Sequence, residues 1–255
     1  MAFDSYHWLD ADFADPALDD ARAELAEPTS EDAARSAFVT LLEARQPAAR
    51  GVAFDHYRYA EASSRFGEAN PFTESAQRVL QRARETLRQA PVEKGVHGAA
   101  VPGANHASAL GPMVNLAQPE DGALIADILR TPAGPDVWAG ALDAAQTVAE
   151  RAPAVDPDLV GALTAAVADP ARSWRDRADA LGVLAFASPT AALARADAML
   201  GVPDLRMRVR AAWVLAEGDL EANRQRLNRL VKTWPDDAPW PAFEVRQMLE
   251  DAEES

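Results

Sequence analysis

The sequence predicts an all-α chain, a right-handed α-solenoid of stacked antiparallel helix pairs. Three observations carry that prediction. First, 18 prolines punctuate 255 residues, and the runs between them are rich in Ala, Leu, Arg and Glu. Proline is tolerated in a first helical turn or just past an end, so such runs read as helices joined by short turns. Second, apolar residues recur at helical spacing, and no run of period-two alternation with β-branched residues appears, so no sheet is expected. Third, the C-terminal half repeats with a period near 33 residues.

The elements follow in order. Helices are expected over 16–26, opening on Pro16, and over 31–45, where Ser30 precedes Glu31 as a cap. The next are 48–66 and 73–89, the latter with Phe72, Ala76, Val79, Leu80, Ala83 and Leu87 on one face. Then come 106–117, 120–130, 136–151 and 157–168, the last opened by Asp156 and Pro157. Trp174, Ala178, Leu181 and Ala185 mark 173–187, and Ser188-Pro189 starts 189–200. Val209, Ala212, Trp213 and Ala216 mark 204–217, Asp219 opens 219–233, and 240–252 closes the series.

Residues 90–112 break the pattern, being rich in Gly, Ala and Pro, and read as a linker or functional loop. The organisation expected is an acidic N-terminal arm over 1–15, a helical part over 16–89, the loop over 90–112 and repeats over 113–255. Charge is uneven. Residues 1–34 hold ten acids against Arg22 alone, and the whole chain carries −15. That balance argues against nucleic acid, whose backbone needs clustered cations, and favours a solvated arm or one that docks a partner. With no Cys, a disulfide scaffold, a zinc ribbon and a thiol nucleophile are excluded. The start, MAFDSYHWLDADFADP, lacks the basic and apolar regions of a signal peptide. No stretch approaches 18 apolar residues, so the expectation is a cytoplasmic chain with no membrane contact.

In the repeat, Trp174-Arg175-Asp176-Arg177-Ala178-Asp179-Ala180-Leu181 aligns with Met207-Arg208-Val209-Arg210-Ala211-Ala212-Trp213-Val214 at an offset of 33. Small Ala178 and Ala211 let helices approach, and neither pair can bury its apolar face alone, so pairs stack. The segment from Met207 into Gly218-Asp219 resembles the second helix of the HEAT-repeat family running into its turn, with 172–187 a fainter copy. The resemblance covers about half the chain, and its motifs are degenerate, so it speaks for fold more than activity. It implies a HEAT/armadillo-like fold and a structural, carboxylate-pairing role for Arg208, and by alignment for Arg175. It also reaches HEAT-like enzymes, the alkylpurine DNA glycosylases and the bilin lyases.

Catalytic signatures are missing: there is no G-x-S-x-G, no P-loop and no G-x-G-x-x-G. The histidines are His7, His56, His97 and His106, with no helical metal-ligand spacing, so neither a metal site nor a cofactor is expected. Phe54-Asp55-His56-Tyr57-Arg58-Tyr59 carries more aromatic area than one helix face hides. Either both faces are buried, or Phe54, His56, Tyr57, Arg58 and Tyr59 form an exposed binding patch, being types favoured at hot spots. Arg206, Arg208, Arg210, Arg224, Arg226, Arg229 and Lys232 make the most basic segment, read as solvated helix faces or as a groove for an acidic peptide. The function expected is a non-catalytic protein–protein interaction module, a scaffold or adaptor. An acidic, immunity-like inhibitor of a basic enzyme or DNA-binding protein is the alternative, and a HEAT-like enzyme the second alternative.

Overall fold

In the computed structural model the described residues are Trp8, 11–96 and 99–254. Among them the chain is all-helical but for one short ribbon, and it divides into two compact units, Met1–Thr147 and Val148–Ser255. The division does not fall in the 90–112 stretch, because the helices on either side of that stretch pack on each other.

The first unit contains α1 (Pro16–Ala26), α2 (Glu31–Glu43), α3 (Pro47–Ser64), α4 (Ala76–Leu87), α5 (Ala104–Leu116) and α6 (Gly122–Arg130). The division falls within α7 (Pro135–Arg151). Capping follows the sequence: Ser30 Oγ accepts from Ala33 N–H at 3.1 Å, and Asp15 caps α1. α1 packs on α2, and α2 on α3. Phe38, Leu41 and Leu42 of α2 are fully buried, and Phe38 stacks on Phe72 with ring centroids 4.3 Å apart. Arg84 of α4 grips the buried Asp121 with Nε–Oδ1 at 2.6 Å and Nη2–Oδ2 at 3.0 Å, tying α4 to the start of α6.

The 90–112 stretch is not a loop. Glu93–Val96 (β1) pairs antiparallel with Ala99–Pro102 (β2), in the register Glu93 to Pro102 and Val96 to Ala99. No sheet was expected, and this four-residue ribbon escapes pattern reading because Lys, Gly, Ala and Pro give no alternation. α5 then begins at Ala104 and runs through Pro112. All of Ala104–Met113 is buried, so the helix has no polar face to give it a period. Asn105 holds the preceding segment by accepting from Val92 N–H at 2.9 Å and donating to Ala90 O at 3.1 Å.

The N-terminal arm is corrected too, for its described part. Trp8 and Phe13 are core residues, not solvated ones. The Trp8 indole donates to Ser108 Oγ at 2.9 Å and lies against Gly51, where an added Cβ would fall 2.0 Å from Nε1. Gln46 and Arg22 hold the Phe13 and Ala11 carbonyls at 2.9 Å each.

The second unit contains α8 (Pro157–Ala168), α9 (Trp174–Ala187), α10 (Pro189–Met199), α11 (Leu205–Val231) and α12 (Ala242–Glu254). α8 packs on α9, α9 on α10, α10 on α11, and α11 on α12; α8 also meets α10, and α9 meets α11. Within α11 the backbone leaves the helix at Asp219 (φ −162°, ψ 78°), whose side chain accepts from Ala222 N–H at 3.0 Å. The span is thus two helices end to end, broken where Gly218-Asp219 predicts a turn.

Gly51 offers a sign test of this packing. Alanine for glycine inside a helix ordinarily stabilises by about 0.5–1 kcal/mol. Gly51→Ala must instead expel the Trp8 indole, and we expect a loss of about 1–3 kcal/mol in urea unfolding. A gain would show that the indole does not occupy this seat.

Candidate functional site

The first unit contains a cleft of about 470 Å³ formed by α3, α5 and α7. Each wall is a single helix face. From α3 come Asp55, Arg58, Tyr59 and Ala62, and from α7 come Asp136, Ala139, Gly140 and Asp143. Both sets have the spacing i, i+3, i+4, i+7, which puts four residues on one stripe. α5 supplies Ala107, Gly111 and Val114.

Small residues make the cleft possible. A Cβ on Gly111 would lie 2.9 Å from Arg58 Cδ, and one on Gly140 would lie 2.9 Å from Leu110 Cβ. Either would push its neighbour away, so the bare backbones let α3 and α7 close on α5. Thr147 fixes the far end of α7 by donating to Val114 O at 2.6 Å. On the α3 side, Arg65 donates to Asn115 Oδ1 at 2.9 Å.

The charged groups differ in setting. Asp55 is buried at 8% exposure, whereas Arg58, Asp136 and Asp143 are exposed and Tyr59 is 41% exposed. The Arg58 stem lies along Gly111, and its guanidinium forms neither a hydrogen bond nor an ion pair among the described residues. Three carboxylates against one guanidinium leave the lining with a formal charge of −2.

The structure splits the segment singled out in the sequence. Phe54 and Tyr57 are fully buried and His56 nearly so; they are core and do not belong to an exposed patch. Burial, with Glu61 adding to it, pushes the Tyr57 hydroxyl up to about 12. Arg58 and Tyr59 are exposed and face the cleft, beside Asp55. The α7 face and the α5 floor were missed. Their signal was available: two Asp seven residues apart, enclosing Ala139-Gly140, mark a polar stripe with a backbone-close centre.

The repeat positions also divide. Ala178 and Ala211 are buried at their helix contacts. Arg175 and Arg208 form no hydrogen bond or ion pair among the described residues, so the pairing expected of Arg208 is absent. Arg210 takes that place instead. Its guanidinium lies over Gly182 of α9, 4.5 Å from the Trp213 ring centroid and 5.2 Å from that of Trp240, and is attracted by Asp179 and Glu244. Desolvation nevertheless lowers its pKa and raises that of Asp179. Arg206 stacks on Trp174 in the same unit, 4.4 Å from the ring centroid.

His7 and His97 lie outside the described residues. Among the described residues no group of three or more His, Asp or Glu is placed to hold a metal ion, the cleft carboxylates included. No described helix is long and apolar enough to cross a membrane. No protein-family model matches the chain, and neither a curated protein nor a solved structure was found that is similar to it.

His106 is buried on α5, with Nε2 2.9 Å from the Gln89 carbonyl oxygen, which the protonated nitrogen satisfies. Burial lowers its pKa, opposed by that hydrogen bond. The folded state therefore prefers neutral imidazole. Its contribution to stability is complete above the unfolded value of about 6.5 and is lost as pH falls from there through the folded pKa. The stability difference between wild type and His106→Gln, read from urea midpoints, is expected to shrink between about pH 7.5 and pH 5. A pH-independent difference would refute this assignment.

Proposed function

We propose that this chain is a non-catalytic interaction module for a basic protein partner, and that the α3–α5–α7 cleft is where the partner is gripped. The observation that carries the reading is the cleft itself. It joins three carboxylates, an exposed tyrosine and an arginine unpaired among the described residues on a floor of small residues. Carboxylates pair with cationic side chains, and the Tyr59 ring can stack against them. Tyr and Arg are also the residue types that dominate binding energy at interfaces. The chain's −15 charge acts at longer range, speeding encounter with a basic surface in a salt-sensitive way.

The finer architecture belongs to the same reading. Val148–Ser255 is read as a HEAT-like solenoid of stacked antiparallel helix pairs. Support comes from the alternate packing of α8 on α10 and α9 on α11, from buried Ala178 and Ala211, and from the break at Asp219. Such stacks expose helix faces suited to scaffold and adaptor roles. An acidic inhibitor would make the same demand on its partner and differ only in suppressing that partner's activity.

The test is affinity capture from a lysate of the native host with wild type and the double variant Tyr59→Ala/Asp136→Asn, at about 50 mM and about 500 mM salt. A basic protein is expected on the wild type at low salt, with recovery falling about tenfold at high salt and on the variant. Equal recovery on the variant would place the contact elsewhere. An acidic partner would overturn the reading.

A further inference from the structure

We infer that the cleft selects a dipolar segment of its partner, one in which an acidic side chain is flanked by basic ones. This rests on the reading that a basic partner binds in the cleft, and it adds what that reading leaves open, the pattern of charge recognised. The inference follows from Arg58. A cleft built for cations alone has no use for an exposed guanidinium on its wall, yet Arg58 lines this one, with its stem laid along Gly111. The guanidinium has no hydrogen bond or ion pair among the described residues. A uniformly basic ligand would therefore meet a like charge there.

The opposite wall has a complementary layout. Asp136 and Asp143 lie on one face of α7, seven residues apart, which is about 10.5 Å along the axis. That separation suits two cationic side chains with a third group between them. A carboxylate in the middle can reach across to Arg58, where the planar guanidinium accepts it in a two-pronged contact. Two cations and one carboxylate bring +1 to a lining of net −2, so Asp136, Asp143 and Arg58 each meet an opposite charge and one negative charge of the lining stays in excess. Arg58 then acts as the specificity element, rejecting plain basic tracts.

Three capped pentapeptides test this, with Gly at both ends and Arg-Asp-Arg, Arg-Ala-Arg or Asp-Ala-Asp in the centre, each titrated calorimetrically at about 50 mM salt. Wild type is expected to bind the Arg-Asp-Arg peptide about fivefold or more tightly than the Arg-Ala-Arg peptide. In Arg58→Gln that preference should vanish, with the Arg-Ala-Arg peptide binding more tightly than to wild type. Asp136→Asn/Asp143→Asn should weaken both cationic peptides. An Arg-Ala-Arg peptide that binds wild type as tightly as its dipolar counterpart overturns the dipolar inference and leaves the basic-partner reading standing. Tightest binding of the Asp-Ala-Asp peptide overturns both. Binding of none overturns this inference, while lysate capture still decides the reading beneath it. The wild-type comparison needs no substitution, so misfolding of a variant cannot obscure the result.

Discussion

The first unit depends on the burial of one helix from every side. α5 has no solvent face over Ala104–Met113, and ten consecutive buried residues leave no room for large groups on all of them. The sequence answers with Ala104, Ala107, Ala109 and Gly111, keeping Leu110 and Met113 to fill space. Close packing then demands matching small residues on the neighbours. Gly51 of α3 admits the Trp8 indole, and Gly140 of α7 admits Leu110. The few polar groups on α5 are satisfied by other chain segments: Ser108 by Trp8, His106 by Gln89 and Asn105 by Val92 and Ala90. One helix thus gathers the N-terminal segment, the run before the ribbon, α3 and α7.

The same burial decided what could be read in the sequence. Amphipathic helices announce themselves by period, so α2, α4 and α9 to α11 were legible from apolar stripes and caps. α5 was half-hidden, because a helix with no polar face has no stripe, and its Gly, Ala and Pro imitate a linker. The candidate site suffered likewise. Phe54-Asp55-His56-Tyr57-Arg58-Tyr59 drew notice for its aromatic excess, and that excess is core, with Phe54 and Tyr57 fully enclosed. The groups that face the cleft, Asp55, Arg58 and Tyr59, sit on the next stripe round the helix. Periodicity alone does not say which of two buried-looking stripes borders a groove, since that depends on partners distant in sequence.

The second unit shows a parallel displacement. The 33-residue alignment in the sequence sets Arg175 against Arg208, yet the guanidinium held against the adjacent helix belongs to Arg210. The reason lies in Gly182. Its missing side chain leaves a gap on α9 into which Arg210 fits, and Trp213 of α11 and Trp240 of the turn before α12 close on it. Two of its nitrogens, Nε and Nη1, are buried without hydrogen-bond partners among the described residues. Aromatic faces and the field of Asp179 and Glu244 stand in for them. An alignment register set by apolar residues cannot register such a gap, because the deciding residue is on the other helix.

The glycines also link the fold to the chemistry of the cleft. At Gly111 any side chain would strike the Arg58 stem, so the residue that lets α3 approach α5 also fixes where Arg58 lies. At Gly140 the approach of α7 to Leu110 sets the face that bears Asp136 and Asp143. Backbone contacts thus set where the two walls and their charges lie. Arg58 makes no ion pair with any described carboxylate, although three line the same cleft. An arginine that folding has placed among acids and left without a partner keeps its donors for a group that arrives from outside. This is the physical content of assigning the cleft to recognition: packing holds its walls, and Arg58 keeps its donors for a ligand.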